Sequence, residues 1–415
     1  MGLVNPLAAL VLSLGVLILM MFKRVRLGLA LNIVAIMFAL LSIDVGEVPR
    51  ALYSSVDPST IDGQLALSII IASFGIMLLS QLYKDSGTID LLNRSLESVL
   101  RNPKAVLIVI PAVIGLLPVP GGALMSAPVV DAEGDKFGFS RPKKVYVNIW
   151  FRHLIFPIYP LSPVFMIAMA LIGVGVTALI SMAIPAIAVM AVVGYATSFI
   201  GARRSSRVGG PLRKGASARD FLGAFSPIAV SIVGAIVLGL LSHELSRRGL
   251  DVLIAVFAGL LTLAVIAKAT FKDLVNVLKR STAYDVALAT LGAFLIRGAV
   301  RASGLSEAIK GLVLSDGPSL LLVVTISTLC SFGLGSVSAG LAISVPVLRD
   351  SIGASFGELG LMYMTACLGY IVSPLHLCLL FTVDYFKTNL REVYRAMLPS
   401  FFASLVAITV FYALV

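Results

Sequence analysis

The sequence predicts an all-α polytopic membrane protein with ten transmembrane spans. The spans form a 5+5 inverted repeat that contains two re-entrant hairpins and two interrupted helices. Three observations lead to this prediction. The 415 residues are 59% hydrophobic and 13% charged, with a mean hydropathy of +1.02, whereas soluble domains are about a quarter charged. Apolar runs of about 20 residues, the length that crosses a bilayer, recur along the chain. Helix-breaking residues recur in both halves at a nearly constant offset.

The first half, residues 1–200, contains five predicted spans and one hairpin. Two short apolar arms at 104–130 are separated by Pro118-Val-Pro-Gly-Gly122. Proline lacks the amide donor and paired glycines loosen the backbone, so a helix cannot run through this stretch. A later apolar run is interrupted by Pro157-Ile-Tyr-Pro-Leu-Ser-Pro163. The predicted spans are 6–22, 25–43, 64–83, 145–175 and 177–200.

The second half, residues 221–415, follows a basic polar linker that is predicted on the cytoplasmic side at 201–220. Its hairpin covers 318–348 and turns in a Gly- and Ser-rich run. Its interrupted span is cut at Ser373-Pro374-Leu-His376. The predicted spans are 221–242, 250–268, 284–300, 358–386 and 395–414.

The two halves are related by a nearly constant sequence offset. Pro6 and Gly28 lie 221 positions before Pro227 and Gly249, and the offset then drops to 217 or 218. The later pairs are Gly75 and Gly292, Ser86 and Ser303, Gly122 and Gly340, Ser126 and Ser344, Pro128 and Pro346, and Pro157 and Pro374. Because each half has an odd number of spans, the second half enters the membrane from the opposite side. Secondary transporters are built from inverted repeats of this kind.

Lysine and arginine are distributed unequally between the two sides of the predicted membrane. The connections on one side hold 24 of the 32 basic residues and those on the other hold seven, with Arg152 inside a span. The positive-inside rule therefore places both termini outside the cytoplasmic membrane. The first hairpin then enters from the cytoplasm and the second from outside. The net charge of +11 reflects this topology, and the dispersed short loops do not predict nucleic-acid binding.

The two hairpin tips and the two span breaks form the predicted binding region. Amides freed at a helix start bind anions, and carbonyls freed at a helix end bind cations such as sodium. The alternative is that small residues at these places serve only close helix packing. The predicted substrate-binding residues are Pro120, Gly121, Gly122, Arg152, His153, Tyr159, Ser336, Ser338, Ser373 and His376, and the predicted ion-binding residues are Pro118, Ser126, Ser162, Ser331, Gly333 and Gly335.

Ionisable residues stand at both interrupted spans, where they are costly in lipid and usually face a cavity. Arg152 is predicted to hold an anionic substrate or to set a positive potential, and the alternative is a clamp on carbonyls of the first hairpin. His153 or His376 would donate hydrogen bonds or carry a coupling proton, or would serve only in packing. Asn148 and Tyr370 are further candidates on the same spans.

The sequence offers little for metal or enzymatic chemistry. No Asp or Glu lies deep in a span, Asp384 being the nearest, so a carboxylate relay or a divalent-metal cage is not predicted. The three histidines are scattered, and Cys330, Cys367 and Cys378 have no metal spacing and are predicted to be small buried hydrophobes. No metal site, cofactor or enzymatic activity is predicted. A negative substrate with sodium held by neutral oxygens is favoured, with proton coupling through histidine second.

This arrangement resembles the ion-transporter superfamily, which includes divalent-anion/sodium symporters, gluconate permeases, C4-dicarboxylate carriers and arsenite pumps. The run Leu117-Pro-Val-Pro-Gly-Gly-Ala-Leu-Met-Ser-Ala-Pro128 and the run Asn148-Ile-Trp-Phe-Arg-His153 look most like a ten-span membrane family, domain-of-unknown-function family 401. The resemblance implies elevator-type alternating access, usually in dimers, with organic anions as common substrates. Sodium/dicarboxylate relatives carry Ser-Asn-Thr at each hairpin tip, whereas the tips at 118–122 and 336–340 contain neither Asn nor Thr.

The sequence therefore predicts a secondary active transporter that moves a small organic anion, such as a carboxylate, across the cytoplasmic membrane. Sodium or protons would be the coupling ions, and the partners would be the anion, the lipid bilayer and a second copy of the chain. The transport part is predicted at 104–175 and 318–386, and the scaffold at 6–43 and 221–268. The alternatives are a cation/proton antiporter, a passive anion channel and a membrane-embedded enzyme.

Overall fold

A computed structural model of the chain describes residues 3–23, 25–100, 102–116, 122–200, 202, 217–279, 281–305, 319–348 and 355–415. These residues form α-helices and one 3-10 helix, Phe156–Ile158, and no strand occurs among them. The first half contains α1 (Pro6–Phe22), α2 (Leu27–Ser42), α3 (Val48–Tyr53), α4 (Ile61–Asp85), α5 (Thr88–Val99), α6 (Pro103–Gly115), α7 (Ala123–Asp135), α8 (Arg141–His153), α9 (Pro163–Ile172) and α10 (Val176–Phe199). The second half contains α11 (Ala218–Leu241), α12 (His243–Arg247), α13 (Leu250–Ile266), α14 (Phe271–Leu278), α15 (Ser281–Ser303), α16 (Ser319–Leu334), α17 (Val337–Leu348), α18 (Phe356–Ile371), α19 (Leu377–Tyr385) and α20 (Leu390–Ala413).

The helices have the length and composition of a polytopic membrane protein. In the described part, α4, α10, α11, α15 and α20 are each long and apolar enough to cross a bilayer. The segment Arg141–Ile158 and α9 together pass the same test but are bent by 44° at the Pro-rich break. The other apolar helices, which include the first arm of the first hairpin and both arms of the second, are shorter. These features confirm the predicted all-α membrane class, and the number of ten spans stays a prediction.

Each predicted apolar run coincides with a helix or a broken helix pair to within about five residues. Four connecting helices, α3, α5, α12 and α14, lie outside the predicted spans. They are at most 12 residues long and are not continuous apolar runs. They were therefore not predicted from apolar runs of membrane-spanning length. The predicted linker at 201–220 falls largely outside the described residues.

Large apolar side chains cover the outer surface of several long helices. Such residues on α10, α11, α13 and α20 are Ile184, Val192, Leu222, Leu240, Leu261, Val265, Phe402 and Val406. A contiguous exposed apolar surface marks contact with a membrane or a partner. By contrast, every residue of α17 is buried, as is every residue of α8 from Lys144 to His153. These two helices, one from a hairpin and one from an interrupted span, therefore lie inside the protein.

Several contacts between a helix of the first half and a helix of the second half have a counterpart between the equivalent helices of the opposite halves. The helix α2 packs against α15 as α13 packs against α4, and α7 packs against α19 as α17 packs against α9. The hydroxyl of Thr290 donates to that of Ser73 at 3.0 Å, and these two residues are themselves 217 positions apart. Equivalent residues meet only beside the axis that relates them. This pair therefore marks the axis of the internal repeat.

Equivalent glycines allow the halves to approach closely. A Cβ added at Gly75 of α4 would lie 2.8 Å from the Val256 side chain of α13, and one at Gly292 of α15 would lie 2.6 Å from the Cβ of Leu31 in α2. These approaches are closer than real side chains show. Small residues at helix contacts are the usual means of tight packing in membranes.

Alanine at Gly292 is expected to destabilise the protein by about 1–3 kcal/mol, because the new methyl group meets the backbone of Leu31 as well as its side chain. Gly15→Ala in α1 is the matched control, since no heavy atom lies within 4 Å of its added Cβ. The measurement is the melting temperature of each purified variant in detergent. Equal melting temperatures for the two variants would contradict the predicted close packing.

Candidate functional site

The first hairpin is fastened to α8 by polar and close backbone contacts. The side-chain amide of Asn148 donates to the carbonyl of Ala123 at 2.9 Å, and the Ser126 hydroxyl donates to Asn148 Oδ1 at 2.6 Å. A Cβ at Gly115, where α6 ends, would lie 2.5 Å from the Arg152 carbonyl oxygen. The first hairpin therefore packs against the end of α8 that carries Arg152.

The tip of the first hairpin is described only in part. Gly122 is the N-cap residue of α7, with φ −56°. Pro118, Pro120 and Gly121 lie in the stretch 117–121, outside the described residues. Their predicted roles therefore stay predictions.

The second hairpin packs directly onto the second span break. Gly335 joins α16 to α17 with φ +60°, and a Cβ there would lie 2.6 Å from the Cβ of Leu375. The Ser373 hydroxyl donates to the Phe332 carbonyl at 2.5 Å. Ser336 begins α17 and accepts a hydrogen bond from the Ala339 amide at 3.3 Å. The predicted tip and the predicted break are thus in contact in this half.

Buried serine hydroxyls lie along the two arms of the second hairpin. Ser327 and Ser331 of α16 and Ser344 of α17 are fully buried, and their hydroxyls have no hydrogen-bond partner among the described residues. Ser331 faces Gly340, whose added Cβ would lie 2.0 Å from the Ser331 hydroxyl. Ser338 is also buried, whereas Gly333 has open space where a Cβ would point. Buried polar groups usually have a partner, so these three oxygens are available to a ligand.

The two interrupted spans meet at a pair of histidines. The rings of His153 and His376 are 4.6 Å apart, edge to face, and both residues are almost completely buried. Tyr370 lies against both rings, at 4.0 Å from His376 and 5.6 Å from His153. His153 ends α8 in the first half, and His376 begins α19 in the second. The structure thus brings together two predicted site residues that are far apart in the chain.

Arg152 places a permanent positive charge beside this histidine pair. Its side chain is among the largest fully buried ones, at 1% exposure. The guanidinium carbon lies 5.8 Å from the centroid of the Phe156 ring, and the group neighbours Cys378 and Tyr370. A guanidinium remains charged under all physiological conditions. The convergence of the breaks is therefore electropositive.

Two other predicted residues lie within the core of the first break. Tyr159 is buried, with Tyr83 of α4 among its neighbours. Ser162 is buried as the N-cap residue of α9, and its side chain makes no capping hydrogen bond. The Tyr363 hydroxyl of α18 donates to the Pro157 carbonyl at 3.3 Å, so the second half also supports the first break.

Cys378 is a site neighbour that sequence reasoning missed. Its sulfur, one ring nitrogen of His153 and one ring nitrogen of His376 all lie within 4.8 Å of one another. The sequence did contain a signal, since Cys378 follows His376 by two residues at the start of a helix. The third residue of this group, His153, is 223 residues away from His376 in the sequence, so no local spacing could reveal the group.

Cavities open at the C-terminal ends of the equivalent helices α4 and α15, with volumes of about 570 and 260 Å³. The cavity at α15 contains Arg297 and Arg301 around one carboxylate, Asp62, with 3.0 Å between Arg301 and Asp62. Arg297 also donates to the Ala170 carbonyl at the end of α9, at 2.8 Å. From the sequence alone, Arg297 is counted among the charges of the connecting loops. Its position four residues before Arg301 instead indicates a charged face of a helix.

Comparison with solved structures finds a shared fold. MtrF of Neisseria gonorrhoeae, described as one of a class of antimetabolite efflux pumps, matches with a TM-score of 0.54 at 12% identity, over 89% of this chain and 83% of that one. The YdaH transporter of Alcanivorax borkumensis matches with a TM-score of 0.46 at 12% identity, over 96% and 98% of the two chains. None of the curated protein sequences matches this chain significantly.

The family model described as "Protein of unknown function (DUF401)" matches residues 6–415. This match spans nearly the whole chain, including both hairpins and both interrupted spans. It agrees with the resemblance of the first hairpin and the α8 run to that family. The chain belongs to the DUF401 family.

Proposed function

We propose that this protein is a secondary active transporter of a small organic anion, with a carboxylate as the group it recognises. The observation that carries the proposal is the buried Arg152 guanidinium beside the meeting point of two interrupted spans, one from each half. An ionisable residue inside the membrane usually marks a substrate or ion pathway. An arginine fork matches the geometry of a carboxylate and favours it over a neutral solute.

The hairpins and interrupted spans form the transport part of the proposed carrier, 104–175 with 318–386. Within the described residues, α6 and α7 both contact α8, and the equivalent α16 and α17 both contact α18. Contacts of α7 with α19 and of α17 with α9 join the two halves of this part. Such a closely connected body supports movement as a unit, as elevator-type alternating access requires. It also supports a relationship to the ion-transporter superfamily.

The remaining helices form the proposed scaffold, 6–43 with 221–268. The helix α11 packs on α13 as α1 packs on α2, and these helices hold α4 and α15 between them. We propose that the scaffold also makes a homodimer contact through its exposed apolar surface. The excess of basic residues in one set of connections supports a position in the cytoplasmic membrane with both termini outside.

Sodium or protons supply the driving force in this proposal. The unpartnered hydroxyls of Ser327, Ser331 and Ser344 are neutral oxygens at a broken helix pair. Neutral oxygens at such breaks coordinate sodium in other secondary transporters, which makes sodium the first ion to test. The likeness to an efflux pump and the sequence itself leave the direction of flux open, so both directions belong in the experiment.

The test is transport by the purified protein in sealed vesicles. We expect a carboxylate-bearing solute to accumulate against its gradient when a sodium or proton gradient is imposed, and to stop accumulating when an ionophore dissipates that gradient. The measurement is radiolabelled solute uptake and release across a panel of mono- and dicarboxylates. Protein-free vesicles and vesicles without an imposed gradient are the controls.

Three outcomes would contradict the proposal. Transport of only cations or neutral solutes would show that the substrate is not an organic anion. Rapid equilibration without accumulation, with a large conductance in planar bilayers, would make the protein a channel. Formation of a chemical product without net movement of solute would make it an enzyme.

A further inference from the structure

A cluster of two imidazoles and one thiol lies where the interrupted spans cross. We propose that His153, His376 and Cys378 bind one Cu⁺ ion. Their ligand atoms lie within 4.8 Å of one another, and ligands around a bound metal are about 1 Å closer than this. A small inward movement of the side chains would close the site. This proposal is independent of the anion transport proposed above.

Both imidazoles present the nitrogen that a metal needs. His153 Nδ1 lies 2.6 Å from the Ile149 carbonyl oxygen, and His376 Nδ1 lies 3.4 Å from that of Ile371. A carbonyl can only accept, so each ring carries its hydrogen on Nδ1 and a lone pair on Nε2. Metal-binding histidines are usually oriented by this type of second hydrogen bond.

The two Nε2 atoms have no hydrogen-bond partner in the part of the chain that the structure describes, although both rings are buried. A buried acceptor without a partner costs stability, and a bound metal ion would supply the missing partner to both Nε2 atoms. The rings touch edge to face at 4.6 Å and are enclosed by Tyr370 and Phe156.

The charge of the neighbourhood selects a monovalent ion. The group lies beside the permanent positive charge of the Arg152 guanidinium. On binding, the Cys378 S–H bond breaks, the proton leaves to solvent, and a Cu–S bond forms with no electron transferred. One positive charge enters and one leaves, so the buried charge is unchanged. Zn²⁺ would add a further positive charge beside Arg152, which a low-dielectric interior disfavours.

The ligand set agrees with this choice. Thiolate is a soft ligand that selects Cu⁺, and imidazole also suits copper. Three ligands satisfy the low coordination number of Cu⁺, whereas Zn²⁺ would need a fourth ligand besides these three residues. Ag⁺ is the redox-inert probe of the same chemistry.

The test is anaerobic titration of the purified full-length protein with Cu⁺ supplied as its bicinchoninate complex. We expect the protein to withdraw one Cu⁺ per chain, with two nitrogen ligands and one sulfur ligand in the X-ray absorption spectrum. Binding to the native state should also raise the melting temperature, and Ag⁺ should do the same.

Single-ligand variants test the assignment. Cys378→Ser is expected to weaken Cu⁺ binding at least about tenfold and to remove the sulfur signal, since ligand loss costs at least as much as loss of an orienting residue. His376→Gln should also weaken Cu⁺ binding, and it should remove one of the two nitrogen ligands from the X-ray absorption spectrum. The matched controls are Cys330→Ser, Cys367→Ser and His243→Gln, which remove the remaining thiols and the third histidine outside the cluster. Each control should bind Cu⁺ as the wild type does.

Retention of Cu⁺ by a folded Cys378→Ser variant would overturn the proposal, as would loss of Cu⁺ in the Cys330→Ser control. Binding of Zn²⁺ in preference to Cu⁺ would overturn the charge argument. The metal-free melting temperature of each variant shows that it is folded, so a failure to bind is assigned to the missing ligand.

Discussion

Replacing Arg152 with methionine is expected to abolish anion transport and leave the protein folded. The guanidinium is 1% exposed, and withdrawing one partner from a buried charge pair costs about 3–5 kcal/mol. An anion bound beside Arg152 would therefore lose roughly 100- to 4,000-fold in affinity. Methionine keeps much of the side-chain volume and leaves no charge buried, so the variant should still fold. A cooperative melting transition checks this.

The measurement is uptake in vesicles together with the melting temperature of the same preparation. Arg301→Met is the matched control, because Arg301 is largely exposed and pairs with Asp62 at the surface, where ion pairs contribute little. It should transport nearly as the wild type does. Arg152→Lys keeps the charge but not the fork, and we expect it to be strongly impaired. Normal uptake by a destabilised Arg152→Met variant would assign Arg152 to structural support of the hairpin instead.

Alanine at Gly335 is expected to disrupt the second hairpin and to stop transport. The residue has φ +60°, a conformation that costs a residue with a side chain roughly 1–2 kcal/mol. Its Cβ would also lie 2.6 Å from the Leu375 Cβ and 3.0 Å from the Leu375 carbonyl carbon. The two penalties act at the same atom, so the tip would separate from the break at Ser373. Uptake should fall to the background of protein-free vesicles.

Gly333 offers a control two residues away. It does not have a positive φ, and no heavy atom lies within 4 Å of its added Cβ. Gly333→Ala should therefore transport and melt close to the wild type. The comparison uses uptake and limited proteolysis, which should detect exposure of the hairpin only in the Gly335 variant. Equal transport by both variants would show that contact between the tip and Leu375 is not needed.

Much of the architecture could be predicted from the sequence because its signals are local. An apolar run of bilayer length defines a helix without knowledge of its neighbours, and a Pro-Gly cluster stops one wherever it occurs. Repeated breaks at 217 or 218 positions predicted the equivalence that the contact between Ser73 and Thr290 displays. Short helices such as α5 were missed because they do not form an apolar run of spanning length.

The chemistry of the site was less accessible because it depends on long-range proximity. His153 and His376 were each chosen for their place at a break, but nothing in the chain stated that their rings would touch. Cys378 was interpreted as one of three packing cysteines, because a thiol in an apolar run has no distinguishing pattern. The fastening of Ser126 to Asn148 is likewise invisible in sequence, since hydrogen-bond partners 22 residues apart follow no periodic rule.

The pairing of Ser73 with Thr290 bears on how such a molecule arose. An isologous interface, in which one surface meets its own copy, brings identical residues together at its centre. A half-length precursor that inserted in both directions would have made this contact between two separate subunits. Gene fusion would then have joined the antiparallel subunits and allowed their loops to acquire different charge. The surviving hydroxyl pair fits an ancient dimer interface that became the centre of one polypeptide.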